Sequence, residues 1–233
     1  MSPRYSLVVP LFNEAGNIAA LVASASAVLG ARGAPYEILL VNDGSTDATA
    51  AEIAEAVAHW PSGREVRLPV HSGQAAALLA GLAEARGDII LTMDGDGQND
   101  PLDLPLLLEP VESGRLDLAC GRRTDRRDPL WRRAASRLAN VVRRAVLADR
   151  VTDAGCQLRA MRREVVSALR QMDLLQAFLP ALAVSAGFRV GEFPVRHHPR
   201  LRGRSHYGPS ELMWRPAVAM LRLRWELWRS PRK

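Results

Sequence analysis

The chain has 233 residues, a formal net charge of +6 and 48% hydrophobic residues, which is enough length for one α/β domain of ordinary size or two small ones with a substantial core. Its basic residues are almost all arginine, since Lys233 is the only lysine, and such a surface suits nucleic acid, nucleotide phosphates or anionic lipid. Cys120 and Cys156 have no metal-type spacing, no uncharged apolar run is long enough to span a bilayer, and a strand-like run already begins at Tyr5. These features argue against a disulfide framework, a membrane span and a signal peptide, and lead to an expected cytosolic protein, peripheral to a membrane at most.

Tyr5-Ser6-Leu7-Val8-Val9 reads as a first strand. Pro10-Leu11-Phe12-Asn13-Glu14 follows as a loop, with Asn13 placed to cap a helix over about 15–29. Tyr36 to Val41 is a second buried strand, ending in Asn42-Asp43-Gly44-Ser45-Thr46-Asp47. Gly44 permits a tight turn, and Ser45, Thr46 or Asp47 can cap a helix over about 48–58. Asp43 at a strand end can accept hydrogen bonds from a base or a ribose; capping and turn formation explain the same residues more simply.

A third strand is expected over 64–70, and His71-Ser72-Gly73-Gln74 opens an Ala/Leu-rich helix over about 75–85. This resembles a phosphate-binding turn without the lysine of a P-loop, and no Gly-x-Gly-x-x-Gly occurs, so a dinucleotide-binding domain is disfavoured. The fourth strand, over 88–93, runs into Asp94-Gly95-Asp96-Gly97-Gln98. In an extended segment residues i and i+2 point the same way, so Asp94 and Asp96 can converge at a strand's carboxyl end, where open α/β sheets bind ligands. Two carboxylates that close repel unless a hard divalent cation sits beside them, and Mg²⁺ is commonly held by one or two carboxylates plus substrate phosphates. The local reading is a metal-assisted site for a diphosphate; a solvated acidic turn is the bland one.

A short helix over 103–112 precedes a strand over 116–121 that ends in Arg122-Arg123, where guanidinium forks suit diphosphate oxygens. Residues 130–148 place Leu130, Trp131, Ala134, Ala135, Leu138, Val141, Val142, Ala145 and Val146 on one helical face, with arginines between them. That composition fits a membrane interface, and equally a surface helix of the core. Asp153-Ala154-Gly155-Cys156-Gln157-Leu158-Arg159 follows, then helices over about 163–170 and 177–186 and a strand over 188–197. Residues 199–208 form a basic, Gly-punctuated loop suited to phosphate. The tail from about 210 to 228 combines Trp214, Trp225 and Trp228 with arginines, again an interfacial composition. Strand–helix alternation four times over predicts an α/β fold with a largely parallel sheet between helices.

Val9-Pro10-Leu11-Phe12-Asn13-Glu14, Val41-Asn42-Asp43-Gly44-Ser45-Thr46-Asp47 and Met93-Asp94-Gly95-Asp96-Gly97-Gln98 occur in an order and spacing that resemble family 2 glycosyltransferases of the GT-A fold. Gly121-Arg122-Arg123, Asp153-Ala154-Gly155-Cys156 and the run from Arg200 to His206 resemble its dolichol-phosphate mannosyltransferase branch, which includes enzymes acting on undecaprenyl phosphate. The resemblance covers about 5–208. It implies a Rossmann-like GT-A domain over 1–208 and a basic, Trp-containing helical tail over 209–233. It further implies a base and ribose pocket at Pro10, Phe12, Glu14, Val41 and Asp43. Mg²⁺ or Mn²⁺ would sit at Asp94 and Asp96 with Gln98 assisting, Gly95 lying between them at the nucleotide-sugar. Arg123 and Arg200 would act with the two aspartates as catalytic groups on the diphosphate. His206 stands where the family's loop usually has lysine, and Asn42 where it commonly has aspartate.

The implied reaction is an inverting, metal-dependent transfer of a mannose- or glucose-type sugar from a GDP- or UDP-sugar to a polyprenyl phosphate. The acceptor phosphate is ionised at neutral pH and needs no strong base. The implied partners are an anionic membrane surface and, for docking, a membrane protein or a second copy of the chain. Two rivals are a GT-A enzyme with a hydroxyl acceptor, for which Asp153 is the candidate base, and a non-catalytic basic binding protein. Nucleic acid is not expected, because aromatic residues are few at 5%.

Overall fold

A computed structural model describes residues 2–124, 130–147, 149, 151–199 and 214–229. Its elements in chain order are β1 (Tyr5–Leu11), α1 (Ile18–Gly30), β2 (Tyr36–Asp43), α2 (Thr49–His59), β3 (Gly63–Leu68), α3 (Gln74–Glu84), β4 (Ile89–Thr92), α4 (Leu104–Glu112), β5 (Leu118–Arg123), α5 (Leu130–Leu147), β6 (Arg159–Arg162), α6 (Leu175–Ser185), β7 (Val190–Val195) and α7 (Trp214–Arg229). Short 3₁₀ turns at Pro101–Asp103 and Arg163–Ala168 join them.

The strands form one seven-stranded sheet in the order β3-β2-β1-β4-β6-β5-β7. The first four run parallel, β6 runs antiparallel to both β4 and β5, and β7 is parallel to β5. The near-continuous apolar runs of β1 and β2 follow from this position, since a central parallel strand is covered on both faces. The period-two alternation then divides their side chains between two cores. Leu7, Val9, Leu11, Ile38 and Leu40 join α1, α2 and α4 on one face. Val8, Leu39 and Val41 join α3, α6 and the buried part of α7 on the other. Helix α3 approaches the sheet closely enough that a β-carbon at Gly81 would overlap the side chains of Val8 and Val41.

The expected α/β fold, with a mainly parallel sheet and flanking helices, is the one observed. Strand β6 was not expected, and the 163–170 helix is a 3₁₀ turn instead. Asn13 does not cap α1, which begins at Ile18. Asn13 sits at φ 54°, and its Oδ1 accepts the Thr46 N–H (2.8 Å) from the loop after β2. Asp47 does work at the head of α2, accepting the Thr49 N–H at 3.0 Å. On the described half of α5 the apolar Val141 and Val142 are exposed, as an interfacial face would be, while Arg143 is buried and bonded to Asp149. Both cysteines are free and buried, and burial pushes their thiols up to about 12 for Cys120 and about 11 for Cys156.

Candidate functional site

Strands β1, β2 and β4 are parallel, so the loops at their carboxyl ends gather on one edge of the sheet, with Arg123 ending β5 on the same sheet. Two loops are laced together first. The Glu14 N–H donates to Thr49 Oγ1 (2.9 Å), the Gly16 N–H to the Glu52 carboxylate (2.7 and 2.8 Å), and the Asn17 side-chain amide to Glu14 Oε2 (3.0 Å). The first two hold the loop after β1 against the head of α2, and the third closes that loop on itself.

Asp43, at the end of β2 and 2% exposed, organises the turn before α3. Its carboxylate accepts N–H bonds from Ser72 (2.7 Å) and Gly73 (2.9 Å) and pairs with His71 Nδ1 at 2.9 Å. The His71 ring stacks on Phe12, with centroids 3.7 Å apart and planes 22° apart. Gly44 completes this corner: at φ +65° its missing β-carbon would lie 2.5 Å from the His71 nitrogen and 2.6 Å from the Val70 carbonyl carbon. Only glycine meets both the left-handed backbone and that approach.

The acidic turn leaves β4 beside the end of β1. A β-carbon at Gly95 would strike Leu11, so this glycine sets how closely the turn approaches β1. The Gln74 side-chain amide donates to Asp94 Oδ1 at 2.7 Å, and the Asp94 N–H donates to Asn99 Oδ1 at 3.2 Å. Asp96 is buried, and its Oδ1 accepts the Gln98 N–H at 3.0 Å. Gln98 in turn is bound to the segment after β7: the His198 N–H donates to its carbonyl (2.9 Å), and its side-chain amide donates to the His198 carbonyl (3.3 Å). Arg196 reinforces that junction through Asp100 (3.1 Å) and Asp103 (2.8 Å).

Arg123 arrives from β5. Its Nε and Nη2 donate to the two oxygens of Asp153 at 2.8 and 2.7 Å, and its backbone N–H adds a third bond at 3.1 Å. Burial works against its charge, but Asp153 outweighs burial and Asp94 adds to the effect, so the guanidinium is held more firmly protonated than usual. The neighbouring Arg122 is exposed. Both arginines expected at the end of this strand belong to β5, and Arg123 is engaged by Asp153. A β-carbon at Gly155 would lie 2.7 Å from Arg123 Nη2, so the glycine in Asp153-Ala154-Gly155-Cys156 leaves room for that guanidinium.

Of the expected site residues, the structure brings Pro10 and Asp94 to one small pocket, together with Gln74, Gln157 and Gln176. Phe12 and Asp43 meet through His71. Val41 is fully buried, with its side chain turned into the core toward α3. Arg200 and His206 lie outside the described residues. Sequence reading passed over Gln157 and Gln176, whose amides carry no motif, and saw His71 and Gln74 only as a turn.

The sequence profile described as glycosyl transferase family 2 matches residues 6–170. An undecaprenyl-phosphate 4-deoxy-4-formamido-L-arabinose transferase of Edwardsiella ictaluri is 37% identical over 210 residues, covering 89% of this chain and 64% of that protein. A dodecaprenyl-phosphate galacturonate synthase of Rhizobium johnstonii is 39% identical over 218 residues, covering 90% of this chain and 63% of that protein. The chain thus spans somewhat under two thirds of these relatives' length. Among solved structures, glucosyl-3-phosphoglycerate synthase from Mycobacterium tuberculosis superposes with a TM-score of 0.70 at 21% identity, covering 95% of this chain and 80% of that one. The same enzyme is known in complex with Mg²⁺ and uridine diphosphate, at a TM-score of 0.72 and 22% identity over 95% of this chain and 79% of that one.

Proposed function

The chain belongs to glycosyl transferase family 2, and from that premise we propose that it transfers one sugar, with inversion, from a nucleoside diphosphate sugar to a polyprenyl phosphate. The observation that carries the reading is the gathering of Asp43, Asp94, Asp96 and Arg123 at the ends of β2, β4 and β5. A nucleotide binder, a carboxylate pair and a cation then share one edge of the sheet.

What the two relatives have in common is the polyprenyl phosphate, not the sugar: one name carries a formamido-arabinose and the other a galacturonate. The acceptor is therefore the better supported half of the reading. The uridine diphosphate in the mycobacterial complexes favours a UDP-sugar over GDP-mannose as donor. The mannose- or glucose-type sugar expected from the sequence stays part of the proposal.

The donor set suits a divalent cation of the Mg²⁺ or Mn²⁺ kind. Asp94 and Asp96 offer hard oxygen ligands. The protein side supplies two carboxylates, with Gln98 beside them, and leaves the remaining positions to substrate phosphate and water. Bound there, the ion would neutralise charge on the leaving diphosphate. The protein's own part is to seat the nucleotide against the corner that Phe12, His71 and Asp43 form and to hold Arg123 positive beside Asp94. The acceptor phosphate attacks as an anion without losing a proton, so no general base is required. The hydroxyl-acceptor reading would need Asp153 as base, yet both of its oxygens are engaged by Arg123.

No described helix is long and apolar enough to cross a membrane. Peripheral docking is proposed through α5 and α7, where Val141, Val142, Val218, Leu221 and Trp225 are exposed next to Arg144, Arg222 and Arg224. Residues 209–233 would form the tail that carries part of this surface, with Ala219 and Leu223 fastening it to the core. Thermal shift with UDP, GDP, UDP-glucose and GDP-mannose, each with Mn²⁺ and with EDTA, tests the donor half. A metal-dependent shift with one nucleotide class supports the reading; no shift with any of them contradicts it.

A further inference from the structure

A chain of hydrogen bonds reaches Asp94 from α6 by way of the head of α3. Gln176, one residue into α6 and 6% exposed, donates from Nε2 to Gln74 Oε1 at 3.2 Å, and Gln74 donates from Nε2 to Asp94 Oδ1 at 2.7 Å. The relay has a direction. Gln74 accepts on one side and donates on the other, so that an N–H finally faces the carboxylate. A carboxylate at either position would reverse that logic. Its outer end is anchored: the Nη2 of Arg159, 1% exposed, donates to the Gln176 carbonyl (2.6 Å) and to the Ala154 carbonyl (3.0 Å). Among the described residues Arg159 forms no ion pair, so this buried cation is spent on two carbonyls. One belongs to α6, and the other follows Asp153, the partner of Arg123. A single side chain therefore ties the Asp94 side of the site to the Arg123 side.

We propose that Gln74 and Gln176 are positioning residues for Asp94, and that this amide relay fixes the Asp94 carboxylate in the orientation that supports divalent-cation and diphosphate binding. The proposal rests on the reading of the Asp94–Asp96 turn as the cation-diphosphate site. It extends that reading to α6, an element outside every site motif. Groups that orient a metal-binding carboxylate from behind typically change metal affinity or activity about 10- to 100-fold when removed.

The test is calorimetric titration of UDP into the full chain with Mn²⁺ and, separately, with EDTA, for the parent protein, Gln176→Ala and Gln74→Glu, alongside thermal midpoints. With Mn²⁺, Gln176→Ala is expected to weaken UDP binding about 10-fold and Gln74→Glu by more. Binding in EDTA is expected to match the parent. That split is one a merely structural role would not produce, because loss of packing would weaken both conditions together. Equal losses with and without Mn²⁺, or parental affinity in both variants, overturn the relay while the parent's own Mn²⁺ dependence keeps the site reading standing. A parent protein that binds UDP equally with Mn²⁺ and EDTA overturns the site reading itself, and the relay with it. Gln74→Glu, at the half-buried start of α3, is the second variant should Gln176→Ala lose its fold.

Discussion

Replacing Asp153 by alanine should destabilise the fold by about 3 kcal/mol. The Arg123 and Asp153 side chains are 15% and 8% exposed and share two short N–H···O bonds of 2.7 and 2.8 Å, with a third from the Arg123 backbone. Removing one partner of a buried pair strands the other charge, which costs about 3–5 kcal/mol. The residual solvent contact of Arg123 puts this pair at the lower end. For a domain of this size, about 3 kcal/mol corresponds to a midpoint about 6–12 °C lower. The decisive assay is urea unfolding at 25 °C for Asp153→Ala, Arg123→Met and the double variant Arg123→Met/Asp153→Leu. The double variant should recover most of the loss, because apolar replacement of both partners leaves no stranded charge. A loss under about 1 kcal/mol for Asp153→Ala is the behaviour of a surface ion pair and would refute the reasoning.

Gly44→Ala should lower both stability and nucleotide affinity. A residue other than glycine at φ +65° is strained by about 1–3 kcal/mol, and its β-carbon would meet backbone of Val70 and His71 that cannot rotate away. An unchanged midpoint and unchanged UDP affinity would count against it. Asp117 is held below the usual carboxylate range, first by its hydrogen bond from Arg189, with burial opposing. A depressed folded pKa contributes stability above the unfolded value and loses it as pH falls through the folded one. The midpoint gap between the parent and Asp117→Asn should therefore be open at pH 7 and shrink below about pH 4; a gap that widens on acidification refutes the assignment. Vesicle sedimentation should show binding to anionic liposomes that falls with salt and weakens in Leu221→Glu/Trp225→Glu, two exposed positions of α7. Equal binding to neutral vesicles would contradict the basic-surface docking.

The strands that carry the site were legible because each is a short apolar run ending in turn chemistry: Val41 before Asn42-Asp43-Gly44, and Leu91 before Asp94-Gly95-Asp96. Strand β6 was not, since Arg-Ala-Met-Arg offers neither alternation nor an apolar run. Arg159 is buried by its tertiary partners, not by its residue type. Asn13 has the chemistry of a helix cap, and it does satisfy a backbone N–H, but that of Thr46, 33 residues away. The same distance problem hid Asp153 as the partner of Arg123, 30 residues off. Local pattern names the residue types a site needs; it does not say which polar group is occupied by another from a different loop. On α5 the same limit shows at the surface, where Arg143 turns inward to Asp149 while Val141 and Val142 face outward, a choice the sequence pattern leaves open.

The most direct test is transfer itself. Labelled UDP-sugars and GDP-mannose would be incubated with the protein, Mn²⁺ and a short polyprenyl phosphate in detergent. The free polyprenol and a saccharide would serve as competing acceptors, and Asp96→Ala as control. One donor should move label into the lipid phase only with the phosphorylated acceptor, and Asp96→Ala should abolish that transfer while keeping the parent's thermal midpoint. Label on polyprenol or saccharide, or transfer undiminished in Asp96→Ala, would contradict the account.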